Sequence, residues 1–220
     1  KKMFSPQKFI LNQQTLWLSP ARCIFWEEEK ALILSDLHFG KTGHFRKEGI
    51  GVPQNIFKED LQRLFTQIQF FKPETLLIAG DMFHSRANKE IDLFVKWRND
   101  ISSVNVHLIK GNHDILSNKF YEEADIKVED KKLSVKNFCF THDYASECEV
   151  EDEVFTFSGH IHPGIKFKGN GRQSFMLPCF YFSEKYAVLP AFSHFTGLYK
   201  VRPQKKDRVF ALVENQVIKM

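Results

Sequence analysis

Asp36 and His38, two residues apart, close a short apolar run, and four later apolar runs close on the same kinds of side chain. Gly80–Asp81 ends the second, Gly111–Asn112–His113–Asp114 the third, Thr141–His142 the fourth and Gly159–His160–Ile161–His162 the fifth. Carboxylate, amide oxygen and imidazole form a mixed nitrogen and oxygen set without cysteine. Such a set suits Mn²⁺, Fe, Zn²⁺ or Mg²⁺ rather than a structural zinc. Asp36, His38, Asp81, Asn112, His142, His160 and His162 make seven donors. One ion completed by waters does not need seven, whereas two ions sharing Asp81 do. Two ions about 3.5–4 Å apart clamp a phosphoryl group for in-line displacement, acidify a bridging water and neutralise charge on the oxygens. Each group alone is also what an ordinary strand-end turn looks like. Five in order are a specific signal.

The elements that must carry these groups are legible around them. Ala31–Ser35, Thr75–Ala79 and Val104–Ile109 read as buried strands: continuous apolar runs with polar ends. Between the first two, a Gly-containing loop over Gly40–Pro53 leads into a helix with Phe57, Leu61, Leu64, Phe65 and Ile68 on one face and Asn55 as its N-cap. Ile91–Ile101 reads as a second helix. Alternating strands and helices imply right-handed βαβ units and a parallel sheet, and ligands gather at the carboxyl ends of such strands. Phe9–Leu11, Thr15–Leu18 and Cys23–Trp26 read as short strands. Beyond residue 125 strands dominate: Leu133–Val135, Asn137–Thr141, Val154–Phe157, Ala211–Val213 and Gln216–Ile218. An α/β half followed by a β-rich half predicts two packed sheets with helices outside. In extended chain i and i+2 project to one side, so Asp36 and His38 are expected to grip one ion together, and His160 and His162 to do likewise or to give one ligand to each of two neighbouring ions.

At 220 residues, without repeats or low-complexity linkers, a single domain over 1–220 is expected. Hydrophobic residues at 43% supply a core, and most of the 23 phenylalanines should fill it. Lys+Arg of 31 against Asp+Glu of 27 gives a net charge of +4, too small an excess to announce nucleic-acid binding by itself. An acidic run (Glu147, Glu149, Glu151, Asp152, Glu153) and a basic one (Lys200, Arg202, Lys205, Lys206, Arg208) read as solvated loops. No stretch approaches a membrane span and no secretory signal is evident. Cys23, Cys139, Cys148 and Cys179 show no C-x-x-C pairing, so free thiols and a cytoplasmic location are expected.

The order D-x-H, G-D, G-N-H-D, H, G-H-x-H over residues 36–162 resembles the calcineurin-like metallophosphoesterase superfamily. The resemblance implies an α/β fold, a four-layer α-β-β-α sandwich of two mixed sheets flanked by helices. It places Asp36, His38, Asp81 and His162 on one ion and Asp81, Asn112, His142 and His160 on the other. It makes His113 a group that protonates the leaving oxygen or steadies the transition state, with Asp114 orienting it. Leu34–Lys41, Phe45–Arg46, Gly49–Ile50, Val52–Pro53, Gly80–Ser85, Leu177–Phe180, Leu189–Phe192 and Phe195–Gly197 resemble a narrower group, the bacterial ligase-associated DNA-damage-response phosphodiesterases. Ser193–His194 departs from it where a small residue is expected. That group implies a Mn²⁺-preferring, endonuclease-like hydrolase acting on DNA, with repair ligase or helicase partners. A phosphatase, a small-molecule or cyclic-nucleotide phosphodiesterase, and a non-catalytic scaffold on the same fold are the alternatives. The intact His113 and complete donor set argue against the last. Lys41 and Arg46, in the loop after the first donors, and Arg172, in the basic stretch Lys166–Arg172, are candidates for substrate phosphate. His84, three residues after Asp81, is a candidate hydrogen-bond partner behind the donors.

Overall fold

The structure, a computed structural model, describes residues 5–53, 55–84, 89–147, 154–168 and 174–220. Seven strands form one mixed sheet in chain order: β1 (Gln7–Leu11), β2 (Gln14–Ser19), β3 (Cys23–Trp26), β4 (Ala31–Leu34), β5 (Thr75–Ala79), β6 (Asn105–Ile109) and β7 (Ile126–Glu129). The first four pair antiparallel, and β4 to β7 run parallel. Helices occupy the parallel crossovers: α1 (Lys41–Lys47) and α2 (Ile56–Phe71), then α3 (Lys89–Asp100), then α4 (Asn118–Glu123).

The chain then builds a second mixed sheet from β8 (Lys132–Val135), β9 (Phe138–Thr141), β10 (Phe155–Ser158), β11 (Pro163–Lys168), β12 (Ser174–Phe182), β13 (Tyr186–Val188), β14 (Tyr199–Lys200), β15 (Arg208–Val213) and β16 (Gln216–Lys219). Its main path is β14-β11-β12-β13-β10-β9-β8, with β15 joining β12 to β16. β9, β10 and β13 are parallel to one another. A short helix, α5 (Tyr144–Glu147), follows β9.

Side-chain alternation explains why the strands of the first sheet read as unbroken apolar runs. Leu32, Leu34, Leu76, Ile78, Val106 and Leu108 pack under Phe57, Leu61 and Leu64 of α2 and Ile91 and Phe94 of α3. Ile33, Leu77, Ala79 and Ile109 point the other way, into a layer with Phe138, Phe140, Phe157, Phe180 and Phe182 of the second sheet. A strand buried on both faces has no polar period. The aromatic-rich layer between the sheets is where many of the phenylalanines go.

Some local expectations change. Residues 40–53 are not wholly loop, since α1 occupies seven of them. Its sequence KTGHFRK buries only Thr42 and so offers no apolar stripe. Asn55 does stand at the N-cap of α2, yet its side chain caps nothing; the helix ends at Lys72 in a left-handed conformation (φ 51°), just before Pro73. Cys23 and Cys179 are free thiols, and Cys148 lies outside the described residues. Among the described residues no helix is long and apolar enough to cross a membrane.

Candidate functional site

All five donor-bearing segments meet at one edge, where the carboxyl ends of β4, β5 and β6 face those of β9 and β10. Backbone hydrogen bonds lock the segments to one another. The Asp36 amide donates to Gly80 O (3.0 Å), His38 N–H to Asp81 O (2.9 Å) and Gly159 N–H to His142 O (3.0 Å).

Asp36 and His38 do not reach the site as extended residues. Asp36 (φ 53°), His38 (φ 50°), Asp81 (φ 50°), His160 (φ 71°) and His162 (φ 52°) all lie in the left-handed region. Each costs about 1–2 kcal/mol for a residue with a Cβ, and Asp and His tolerate it better than most. The pairing expected from i, i+2 spacing therefore holds for Asp36 and His38, but a left-handed turn produces it.

The donors fall into two overlapping groups, one of Asp36, His38 and His162 and one of Asp36, Asp81 and His142. In the first, His162 Nε2 lies 3.4 Å from His38 Nε2 and 3.4 Å from Asp36 Oδ1. In the second, His142 Nε2 lies 3.0 Å from His160 Nδ1, 3.1 Å from Asn112 Oδ1 and 3.6 Å from Asp81 Oδ2. Asp81 Oδ2, in the second group, is also 4.0 Å from His38 Nδ1 of the first, while Asp36 is common to both groups. The other oxygen of Asp81 accepts the His113 amide at 2.9 Å.

The residues fit divalent metal. His38 Nδ1 is buried without a hydrogen-bond partner among the described residues. Burial drives the His38 pKa down to about 2 against the opposing pull of Asp36, which keeps the ring in the neutral form that ligates metal. His142 Nδ1 lies 3.3 Å from Ala79 O, and donation there turns the Nε2 lone pair toward Asn112, His160 and Asp81. Burial would raise Asp36, but the hydrogen bond and charge of His162, with His142 and His38, take it below the usual carboxylate range. Burial raises Asp81 in spite of His142 and the His113 amide.

Three glycines make room. A Cβ on Gly80 would stand 2.0 Å from His142 Nδ1, one on Gly111 2.2 Å from Asp81 Oδ1, and one on Gly159 2.5 Å from Asp36 Oδ2. Gly80 also needs its positive φ of 81°.

The candidates around the donors separate. His113 sits beside the site, its ring 5.5 Å from that of His38 and 4.3 Å from that of His84. Asp114 accepts the amides of Phe83 and Gly111, both at 2.9 Å. Those bonds pin the Gly111–Asp114 turn, which carries His113, to the loop after β5. Burial raises the Asp114 pKa to about 7. His84 Nδ1 has no hydrogen-bond partner among the described residues, and the ring packs between His113 and Phe45 instead. Burial, with His113, Lys41 and His44 nearby, lowers its pKa to about 4.

Lys41 is half-buried, with burial lowering its pKa and the carboxylates of Asp81 and Asp36 opposing. Arg46 instead pairs with buried Glu90 at 2.5 Å, and Glu90 also accepts from Thr42. Its charge is committed to holding α1 on α3. Arg172 lies outside the described residues.

Arg22 and Arg63 had no local sequence signal, yet they hold the segment 189–196 that backs Asp36. Arg22 donates to Ala191 O (3.2 Å) and Ser193 O (2.8 Å), and Arg63 donates to Phe192 O. That segment in turn gives the Phe192 amide to Ser35 O (2.8 Å) and the Ser193 amide to Asp36 O (3.1 Å).

Residues 30–201 match the model of the calcineurin-like phosphoesterases. The chain belongs to the calcineurin-like phosphoesterase family. It is therefore a metal-dependent phosphoesterase. No curated protein matches it. Among solved structures it is similar to the nuclease MPE of Pseudomonas putida, at 27% identity over 98% of this chain and 100% of that one, with a TM-score of 0.83. It is also similar to the phosphoesterase Yfce of E. coli, at 12% identity over 84% of this chain and 88% of that one, with a TM-score of 0.43.

Proposed function

We propose that this phosphoesterase is a two-metal phosphodiesterase that cuts DNA. The observation that carries the reading is that two donor groups drawn from both sheets adjoin, with Asp36 in both and Asp81 Oδ2 lying 3.6 Å from His142 Nε2 of the second and 4.0 Å from His38 Nδ1 of the first. Asp36, His38, Asp81 and His162 would hold one ion, and Asp81, Asn112, His142 and His160 the other. When bound, such ions supply Lewis acidity, neutralising phosphoryl charge and acidifying a water. The mixed donors suit Mn²⁺, Fe, Zn²⁺ or Mg²⁺, and the resemblance to the ligase-associated phosphodiesterases favours Mn²⁺ among them.

The chain's own residues do the rest. His113 delivers a proton to the departing oxygen, and Asp114 fixes the turn that carries it. Lys41 offers its ammonium to a substrate phosphate. His84 sets the His113 ring by packing against it. The likeness to a Pseudomonas putida nuclease over nearly the whole chain supports a nucleic acid as the substrate, and the resemblance to the DNA-damage-response phosphodiesterases favours DNA. A place in DNA repair with ligase or helicase partners, a cytoplasmic setting and a single folded domain complete the reading.

A hydrolysis panel after metal loading tests it: bis- and mono-nitrophenyl phosphates, cyclic nucleotides, and single- and double-stranded DNA. Two equivalents of Mn²⁺, and cleavage of the diester and of DNA that chelation abolishes, are expected. One equivalent of metal, or turnover of monoesters or cyclic nucleotides without DNA cleavage, would overturn it.

A further inference from the structure

The outer face of the second sheet holds a cleft of 660 Å³ beside the donor site, within the about 300–1,000 Å³ of small-molecule sites. Phe182 and Ala187 turn into the inter-sheet core. Their neighbours Tyr181, Tyr186 and Val188 turn outward and floor the cleft, and Tyr144, Tyr199, Lys200 and Arg202 wall it. Ser158 and Val188, paired at the carboxyl ends of the parallel strands β10 and β13, both line it, so it opens at the same strand ends as the donors.

The cleft and the donor site share a wall. Gly159 and Ile161, on either side of His160, line the cleft. The Tyr199 amide donates to His162 O at 2.9 Å, which ties β14 to the donor loop. The tyrosines are set as a group of rings. Tyr144 and Tyr186 stack with centroids 4.1 Å apart at 23°, Tyr181 stands 6.2 Å from Tyr186, and its hydroxyl donates to Asp207 at 2.5 Å. Tyr199 is 63% exposed. The one carboxylate among the described lining residues, Asp143, accepts the Ala145 amide at 3.0 Å.

We propose that this cleft holds a nucleotide of the DNA strand next to the phosphate being cut, its base against a tyrosine ring and its phosphate at Lys200 and Arg202. The inference rests on the nuclease reading above. Every base has a π-face that stacks on an aromatic ring, so such a contact holds the strand without selecting sequence. Two cations at the rim meet the backbone charge that dominates nucleic-acid affinity. Flat rings beside cations match a nucleotide, which joins a flat base to an anion.

The test compares a short single-stranded DNA with bis-nitrophenyl phosphate, which has no neighbouring nucleotide, on metal-loaded full chain. Tyr199→Ala, at an exposed position, should raise KM for DNA roughly 5- to 100-fold. Its effect on the nitrophenyl diester should be far smaller, and Tyr199→Phe should restore DNA binding. Lys200→Ala with Arg202→Ala should weaken DNA binding and flatten its salt dependence. If DNA is cut and these variants leave its KM unchanged, or harm both substrates equally, the cleft is not the subsite although the nuclease reading stands. If wild type hydrolyses the nitrophenyl diester and never DNA, the nuclease reading falls and the cleft assignment with it.

Discussion

Most of the donor set can be read from residue types and order, because metal chemistry restricts which side chains can serve. What the ring of His113 does is a separate question, and the leaving group decides it. The sugar oxygen of DNA departs as a strong base and gains from a proton, whereas nitrophenolate leaves readily without one. His113→Ala should cost about 10²–10⁴-fold on a nucleotide diester and clearly less on the nitrophenyl diester, with both ions retained. Equal losses would mean that His113 steadies phosphoryl charge, and a lost ion would make it a ligand. Asp81→Asn should lower occupancy of both ions while His38→Ala mainly affects one, as the approach of Asp81 Oδ2 to His142 of one group and His38 of the other implies. Elemental analysis in which both variants empty the same single site would contradict that. What residue types did not reveal is pairing. Arg46 sits after the first donors, where a phosphate cation belongs, but its partner Glu90 lies on a different helix. Arg22 and Arg63 were invisible for the same reason.

At the scale of elements, sequence periodicity located β1 to β6, β8 to β10, β15, β16 and the two long helices, since burial on both faces or on one stripe leaves a pattern, but it left β7 and β11 to β14 unplaced. It did not locate α1 or α4, which are short and bury few side chains. Nor did it show that five donors stand at positive φ, because Asp and His adopt that conformation only where neighbouring loops hold it. Gly80 is the point at which those loops touch. Gly80→Ala adds a Cβ 2.0 Å from His142 Nδ1 at a φ of 81°. It should destabilise the fold by about 1–3 kcal/mol and displace the His142 ring, lowering metal occupancy. Gly51 has no atom within 4 Å of an added Cβ, and Gly51→Ala should change stability by less than about 0.5 kcal/mol. Denaturant melts and metal content measured on both would check this. Gly80→Ala with full occupancy and unchanged stability would show that the loop gives way easily.

On the scale of the whole molecule, the donors come from both sheets. Asp36, His38, Asp81 and Asn112 follow strands of the first, while His142, His160 and His162 follow strands of the second. Two sheets packed over an aromatic layer are thus joined a second time at one edge by any ion their donors share. An ion that binds only the folded chain stabilises it by about 2.7 kcal/mol at a hundred times its dissociation constant. For a chain of this size each kcal/mol moves Tm by about 2–4 °C. Saturating Mn²⁺ should therefore raise Tm by about 5–10 °C per ion over the chelated protein, measured by calorimetry at fixed protein concentration. His160→Ala removes a second-sheet donor without touching the first sheet's loops, and it should lose a large part of that gain while melting near wild type in chelator. A Mn²⁺-dependent rise that survives in His160→Ala at full size would place the stabilising ion on the group of Asp36, His38 and His162. The second sheet would then be tied to the metal edge through His162 and not through His142 and His160.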